Sequence, residues 1–262
     1  MTSETRITHM TRSPSQAEQW EQCPEQYRLR RIERVTPRPA SWSYQGTAFH
    51  SAAEAHERSG RTMSREEVVD LFSDEYTALV NKALDKEPDL SRWMTAGKVD
   101  GGTDMANRYR LGQQQAGRYV EWAQEKGPRI WKAPDGTMGL ELRLQAEIGG
   151  IPVQGIIDQL AQEPDGSVRV RDLKTGSTRS KFQLHTYTTL VRKVLGAEVN
   201  KADWWMGKTG GLSRALDVTQ VTEQEVGKVY AALDEGVKAG NFPAKPGFNC
   251  RFCDVSHACN FF

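Results

Sequence analysis

Apolar residues recur along the chain in two rhythms, and the change of rhythm divides it. Up to about residue 126 the spacing is helical: Val68, Leu71, Phe72, Tyr76, Leu79 and Val80 follow the three-to-four-residue period of one helix face. Local signals set the helix ends. After a frayed tail over 1–12, Ser15 to Glu18 reads as a capping box opening a short helix that carries Trp20. Pro24 fits the first turn of a second short helix running through Tyr27 to about Arg34, and Pro37 and Pro39 then break the chain. Further helices are expected over 44–58, stopping near Gly60, and from a cap at Ser64. A loop over 85–102 follows, with Pro88, Gly97, Gly101 and Gly102, and then a long helix over 103–126.

The period then drops to two. Leu140, Leu142, Leu144, Ala146 and Ile148 alternate with Glu141, Arg143, Gln145 and Glu147, a strand with one buried face. Gly149-Gly150 predicts a tight hairpin turn into a second strand over 151–158, and Asp165-Gly166 another into a third over 167–174. A helix over 179–195 ends at Gly196. Strands over 199–208 and 212–218 flank Gly210-Gly211, and Thr222 to Glu225 caps a last helix ending near Gly240. The order, helices, three-stranded meander, helix, two strands, helix, predicts an α/β fold with one mixed central sheet flanked by helices. One domain is expected, with a helical lobe over 1–135, a sheet core over 136–240 and a coiled tail over 241–262.

Composition agrees with a soluble globular chain: 262 residues, 37% hydrophobic and 26% charged. Thirty-five Lys and Arg balance 34 Asp and Glu, which excludes nucleic-acid binding through bulk charge and leaves a local patch as the route. No apolar run has the length to span a bilayer, and residues 1–11 lack the apolar core of a signal peptide, so a cytoplasmic protein without a membrane partner is expected. In that compartment the 4 cysteines are metal ligands or free thiols rather than disulfides.

Candidate chemistry begins with Asp172-Leu173-Lys174. At strand period two, Asp172 and Lys174 project together and Leu173 points away. Antiparallel pairing of the second and third strands brings Asp158 beside Asp172. Two close carboxylates repel unless a cation separates them, and oxygen ligands suit Mg²⁺ or Mn²⁺. The lysine is placed to hold or deprotonate a water attacking a phosphate. Taken alone, these three residues read more readily as a surface salt bridge.

The wider set changes that. Gly155-Ile156-Ile157-Asp158, Asp172-Leu173-Lys174-Thr175-Gly176 and Gln183-Leu184-His185-Thr186-Tyr187 resemble the motifs of the PD-(D/E)XK nuclease superfamily. More narrowly they resemble its RecB-type exonuclease branch, which includes the CRISPR-associated adaptation nucleases. Gly46 to His50 matches that branch's upstream Gly-x-x-x-His, and the motifs stand in family order over nearly the whole chain. Leu173 departs from the aromatic residue often found there, with its side chain aimed away from the site. The resemblance implies a restriction-endonuclease-like fold, a single nuclease domain, and metal binding by His50, Asp158, Asp172 and the backbone carbonyl of Leu173. It implies Lys174, with Asp158 and Asp172, as the catalytic group, and Gln183 and Tyr187 as contacts to DNA or the metal site. The activity implied is metal-dependent hydrolysis of DNA from free ends, in recombination, repair or adaptation, alongside partner proteins of those pathways, in a phage or a bacterium. Oligomeric state is not legible. The alternative is a nucleic-acid-binding module with a degenerate or regulatory core, against which the complete set of site residues argues.

Cys250, Cys253 and Cys259 form a trio far from Cys23. Four soft ligands suit an iron–sulfur cluster or zinc, and His257 inside the trio keeps zinc open. The resembled branch places one cysteine before its core and three after it around a 4Fe–4S cluster. That implies an iron–sulfur clasp joining the chain ends, with zinc the alternative.

Other residues carry competing readings. A lone helical His50 is ordinarily structural, and the Gly46 spacing and downstream acids reverse that; Glu54 stays outside the assignment and His56 is structural. Arg28, Arg30, Arg31, Arg34 and Arg38 read equally as a solvated face or a phosphate-binding run. Trp204-Trp205 suits base stacking, but alternation puts at least one ring in the core. Gly207-Lys208-Thr209 lacks the upstream glycine of a phosphate loop and reads as part of a hairpin turn.

Overall fold

The computed structural model describes residues 10–178 and 180–262. The first nine residues of the expected tail, and Arg179 at the expected start of a helix, lie outside them. Seven α-helices are described: α1 (Pro14–Gln22), α2 (Pro24–Tyr27), α3 (Ser41–Arg58), α4 (Arg65–Leu84), α5 (Gly101–Glu125), α6 (Phe182–Leu195) and α7 (Glu223–Lys238). The strands are β1 (Leu140–Ile148), β2 (Ile151–Gln162), β3 (Val168–Lys174), β4 (Val199–Met206), β5 (Gly211–Leu212) and β6 (Leu216–Asp217).

They form one mixed sheet in the order β1-β2-β3-β4-β5, with β6 also beside β4. β1, β2 and β3 meander antiparallel, and β3 runs parallel to β4. A parallel pair requires a crossover, which α6 supplies. Two apolar layers hold the sheet between helices. Leu184, Leu190, Tyr230 and Leu233 of α6 and α7 pack with Ile157, Leu160 and Val170. Phe49, Phe72, Tyr119 and Trp122 of α3, α4 and α5 pack with Leu173 and Trp205. β3 and β4 are thus covered on both faces, and both tryptophans are buried, Trp204 at 8% and Trp205 at 0% exposure. Neither ring is available for base stacking. Among the described residues no helix is long and apolar enough to cross a membrane.

Local signals set most element ends. Ser64 and Thr222 form the expected capping boxes with Glu67 and Glu225. Gly149 and Gly150 turn with φ of 59° and 80°, which suits a two-residue hairpin, and Gly149 also lies so close to Gly227 of α7 that a Cβ would clash with its backbone.

Five expectations are corrected. Arg12, expected in the frayed tail, is buried, pairs with Asp234 and bridges to Val153. α1 starts at Pro14 rather than through a box at Ser15, because proline fits the first helical position without an N–H and shifts the cap to Ser13. The second short helix widens into a π-turn over Arg28–Ile32 and stops at Arg34, whose φ is 58°. β2 runs past Asp158 to Gln162. The expected strand over 212–218 breaks into β5 and β6, because Ser213 bonds Trp204 through both its N–H and its hydroxyl.

The arginine run is largely internal bracing. Arg28 pairs with Glu25 and Glu33, Arg30 with Asp254, and Arg31 donates to Gln19. Arg38 donates to the Cys253 carbonyl and the Ser256 hydroxyl. Three of its members therefore hold neighbouring helices or the C-terminal tail rather than standing ready for phosphates.

Candidate active site

β2 and β3 part at the candidate residues Asp158 and Asp172. Their pairing register runs to Gln159 opposite Arg171. At the next position the Asp158 carboxylate, through Oδ2, accepts the Leu173 N–H at 2.7 Å. A side chain thus takes a donor on the neighbouring strand, and the sheet opens around it. Gly155 in the same segment is required by packing, since a Cβ there would stand 2.8 Å from the Tyr187 ring.

α3 delivers His50 to this opening. Its Nδ1 lies 3.1 Å from Glu141 Oε1 and 3.6 Å from Asp158 Oδ1, and its Nε2 lies 3.1 Å from the Leu173 carbonyl. Donor atoms of His50, Glu141 and Asp158 fall within 4.8 Å of one another. Asp172 and Lys174 project together from β3, with Lys174 Nζ 2.8 Å from Asp172 Oδ2. Nζ also donates to Gln183 Oε1 at 2.9 Å, and Gln183 Nε2 donates to the Tyr187 hydroxyl at 2.8 Å. Gln183 and Tyr187, expected at DNA or the metal site, direct these hydrogen bonds toward the site, and Tyr187 is only 6% exposed. Their geometry positions the lysine. Behind it, Gln45 donates to Gln115, which donates to the Thr175 carbonyl at 2.8 Å and anchors the chain just past Lys174.

Glu141 is the residue that sequence reasoning missed. It looked like the outward member of an alternating strand. The signal was in the turn: a two-residue loop at Gly149-Gly150 pairs Ile148 with Ile151, and the same register sets Glu141 across from Asp158. Leu140 opposite Gln159 and Leu142 opposite Ile157 bracket that position. Glu141 itself has a φ of 44°, a left-handed conformation uncommon for a side chain of this size and concentrated at functional sites.

The electrostatics are those of crowded buried acids. Burial, aided by the Asp172 and Glu141 carboxylates and opposed by His50, pushes Asp158 up to about 7. Burial also raises Asp172, against the pull of Lys174. For His50, burial disfavours charge, but Asp158 and Glu141 outweigh it and push the ring up to about 9. Both ring nitrogens face oxygen acceptors, which fits the doubly protonated imidazolium. Asp172 Oδ2 is buried, and its close partner is the Lys174 ammonium.

The four cysteines converge elsewhere. Cys23, Cys250, Cys253 and Cys259 line one small cavity between the α1–α2 junction and the tail. The Lys245 and Gly247 N–H groups point at the sulfurs of Cys23 and Cys250, at 3.5 and 3.4 Å. Burial and the three neighbouring sulfurs raise the Cys253 thiol. His257 is exposed and does not line this cavity.

Comparison with known proteins follows the same lines. Residues 11–260 match the family profile of the PD-(D/E)XK nuclease superfamily. The gene 69 protein of Mycobacterium phage D29 is 36% identical over 268 residues, covering 98% of this chain and 99% of its own. The gene 69 protein of Mycobacterium phage L5 is 32% identical over 280 residues, covering 96% of each chain. A solved structure from Eubacterium rectale, provisionally named an exonuclease, matches with a TM-score of 0.52 over 100% of this chain and 91% of its own. At 13% identity that is a likeness of fold.

Proposed function

Because this chain belongs to the PD-(D/E)XK nuclease superfamily, we propose that it hydrolyses DNA phosphodiester bonds inward from free ends, in a reaction that depends on a divalent cation. The observation that carries this reading is the meeting of His50, Glu141, Asp158, Asp172 and Lys174, from α3, β1, β2 and β3, at one opening in the sheet. The name of the Eubacterium rectale protein points the same way. Phage or bacterial recombination, repair or adaptation is the setting the family resemblance suggests.

The donor set fits a hard cation. Three carboxylates and the Leu173 carbonyl supply oxygens, and the buried Asp172 Oδ2 faces the Lys174 ammonium at 2.8 Å. The His50 nitrogen favours Mn²⁺ over Mg²⁺ within that class. When bound, the cation supplies Lewis-acid polarisation of the phosphodiester and acidifies water. The protein's own groups do the placing. Lys174, fixed between Asp172 and Gln183, orients the attacking water. Gln183 and Tyr187 fix the lysine, and Gln115 fixes the backbone behind it. To ligate through nitrogen, His50 must give up a proton that now bonds Glu141 or Leu173, so cation binding is linked to proton release.

That linkage sets a pH dependence. Asp158 is raised to about 7, so the stability its protonated form contributes is lost as pH climbs from the ordinary carboxylate range through 7. His50 is raised to about 9, so its contribution, whole below about 6.5, is lost as pH climbs through 9. The two share one contact and are not additive. The metal-free protein is expected to melt at least roughly 5 °C lower at pH 8.5 than at pH 5.5, since 1 kcal/mol is worth about 2–4 °C at this length. Mn²⁺ should restore the loss at pH 8.5, and Asp158→Asn should flatten the profile. Thermal melts of chelator-stripped protein check this, and a metal-free Tm that rises with pH would contradict it.

The cysteine cavity is read as the seat of a 4Fe–4S cluster, with zinc the alternative. Four soft ligands on one cavity suit either metal group, and the cluster is preferred because the resembled branch holds one with the same one-plus-three placing of cysteines. On this reading residues 1–262 act as one nuclease unit. The helical lobe supplies His50, the core supplies the acids and lysine, and the tail clasps Cys23.

End-labelled linear DNA compared with a closed circle tests the activity. Linear DNA should be degraded in Mn²⁺ with the circle intact. A circle cut as readily would leave a nuclease but overturn action from ends.

A further inference from the structure

Two clefts, of about 530 and 460 Å³, open beside the acid cluster, each in the size range of ligand sites. One is bounded by His50, Glu141 and Gly46. The other is bounded by Lys174, Gln183 and Tyr187. Arg143 and Ile156 line both. They are cross-strand partners on β1 and β2, and so form a ridge between the clefts.

Neither side chain is accounted for by the fold. Ile156 is 38% exposed although its neighbours Gly155 and Ile157 are buried. The exposed Arg143 makes no hydrogen bond or ion pair to the described residues, although Glu141 and Glu54 line the same cleft. A free guanidinium beside catalytic carboxylates offers the forked donor geometry that matches phosphate. An apolar side chain standing between two clefts offers a wedge.

We propose that the Arg143–Ile156 ridge parts two consecutive nucleosides of a single-stranded DNA end, Arg143 holding the phosphate next to the one cleaved and Ile156 standing between the two bases. This rests on the nuclease reading and adds its substrate form. A strand laid over the acids places a phosphate above them and a nucleoside in each cleft, and its path crosses the ridge. Seating Ile156 between bases requires them unstacked, which is costly in a duplex and nearly free in a single strand. The ridge thereby favours single-stranded over blunt duplex ends.

The test uses the full chain in Mn²⁺, with a labelled single strand and a blunt duplex of the same sequence. The wild type should have the higher kcat/KM on the single strand. Ile156→Ala should shrink that preference about fivefold or more, as expected for loss of a contact to a base. Arg143→Gln should raise KM about tenfold with kcat within about twofold, as expected for losing a charge-assisted hydrogen bond. It should also flatten the dependence of log KM on log salt by about 0.7, one phosphate's share on a single strand. If either variant melts early, Ile156→Thr and Arg143→Met replace it with the same readouts. An unchanged strand preference or an unchanged salt slope, in variants that melt like the wild type, overturns the ridge. A wild type without activity on any DNA overturns the nuclease reading instead.

Discussion

Lys174→Ala is expected to lower kcat by about 10²–10⁴-fold, the range for removing a group that handles the attacking water's proton, with the fold intact. Lys174 Nζ occupies the approach to Asp172 Oδ2 at 2.8 Å, the same oxygen a cation would use. Removing the ammonium deletes a competitor for that oxygen, so the variant should bind Mn²⁺ at least as tightly as the wild type. Loss of turnover with retained thermal stabilisation by Mn²⁺ separates a role in the chemical step from one in metal binding. Asp158→Asn should lose both. Single-turnover digestion of labelled DNA, with melts over a Mn²⁺ titration, reads the two effects independently. Turnover retained in Lys174→Ala would remove the lysine from the mechanism.

Cys23→Ala is expected to bleach the protein and destabilise it by about 5 kcal/mol, roughly 10–20 °C at this length. The figure follows the chain-entropy account of a cross-link, because a clasp from Cys23 to the trio closes a loop of more than two hundred residues. Little else holds the tail. Val255 is its one buried hydrophobic residue, and Phe248, Phe252, Phe261 and Phe262 are exposed. The other ties are the edge-to-face contact of Phe242 with Trp20 and a set of polar links: Arg38 to Ser256, Gln26 and Arg30 to Asp254, and Lys245 to the Glu21 carbonyl. Absorbance near 400 nm and limited proteolysis of freshly purified protein check this. A Cys23→Ala variant that stays brown and melts like the wild type would exclude Cys23 as a ligand and overturn the clasp, colourless wild-type protein would exclude the cluster, and His257→Ala should leave the colour unchanged.

Much of the architecture and part of the site were legible along the chain. Period two placed Asp172 and Lys174 on one side of a strand, helical spacing put Gln183 and Tyr187 on one helix face, and hydroxyl caps marked Ser64 and Thr222. Each of these is a relation between residues a few positions apart, settled by backbone geometry and local hydrogen bonds. The errors fell where a local pattern had more than one packing solution. Trp204 and Trp205 alternate, which says that they face opposite ways, and the helices packed on each face of the sheet decide that both directions are interior. The arginine run looked free until Asp254 and the Cys253 carbonyl came back from the other end of the chain to meet it.

By itself, then, the sequence determined the succession of elements and the mixed sheet, because those follow from nearest neighbours in the chain, while most polar groups in the opening were named by the motif resemblance. The tertiary structure alone decided that Glu141 joins His50 and Asp158, that Gln183 and Tyr187 turn toward the lysine, that four cysteines share one cavity, and that Arg143 and Ile156 stand unaccompanied between two clefts. Those outcomes depend on where strands part and on which helix covers which face, and such long-range packing leaves no periodic trace in the order of the residues.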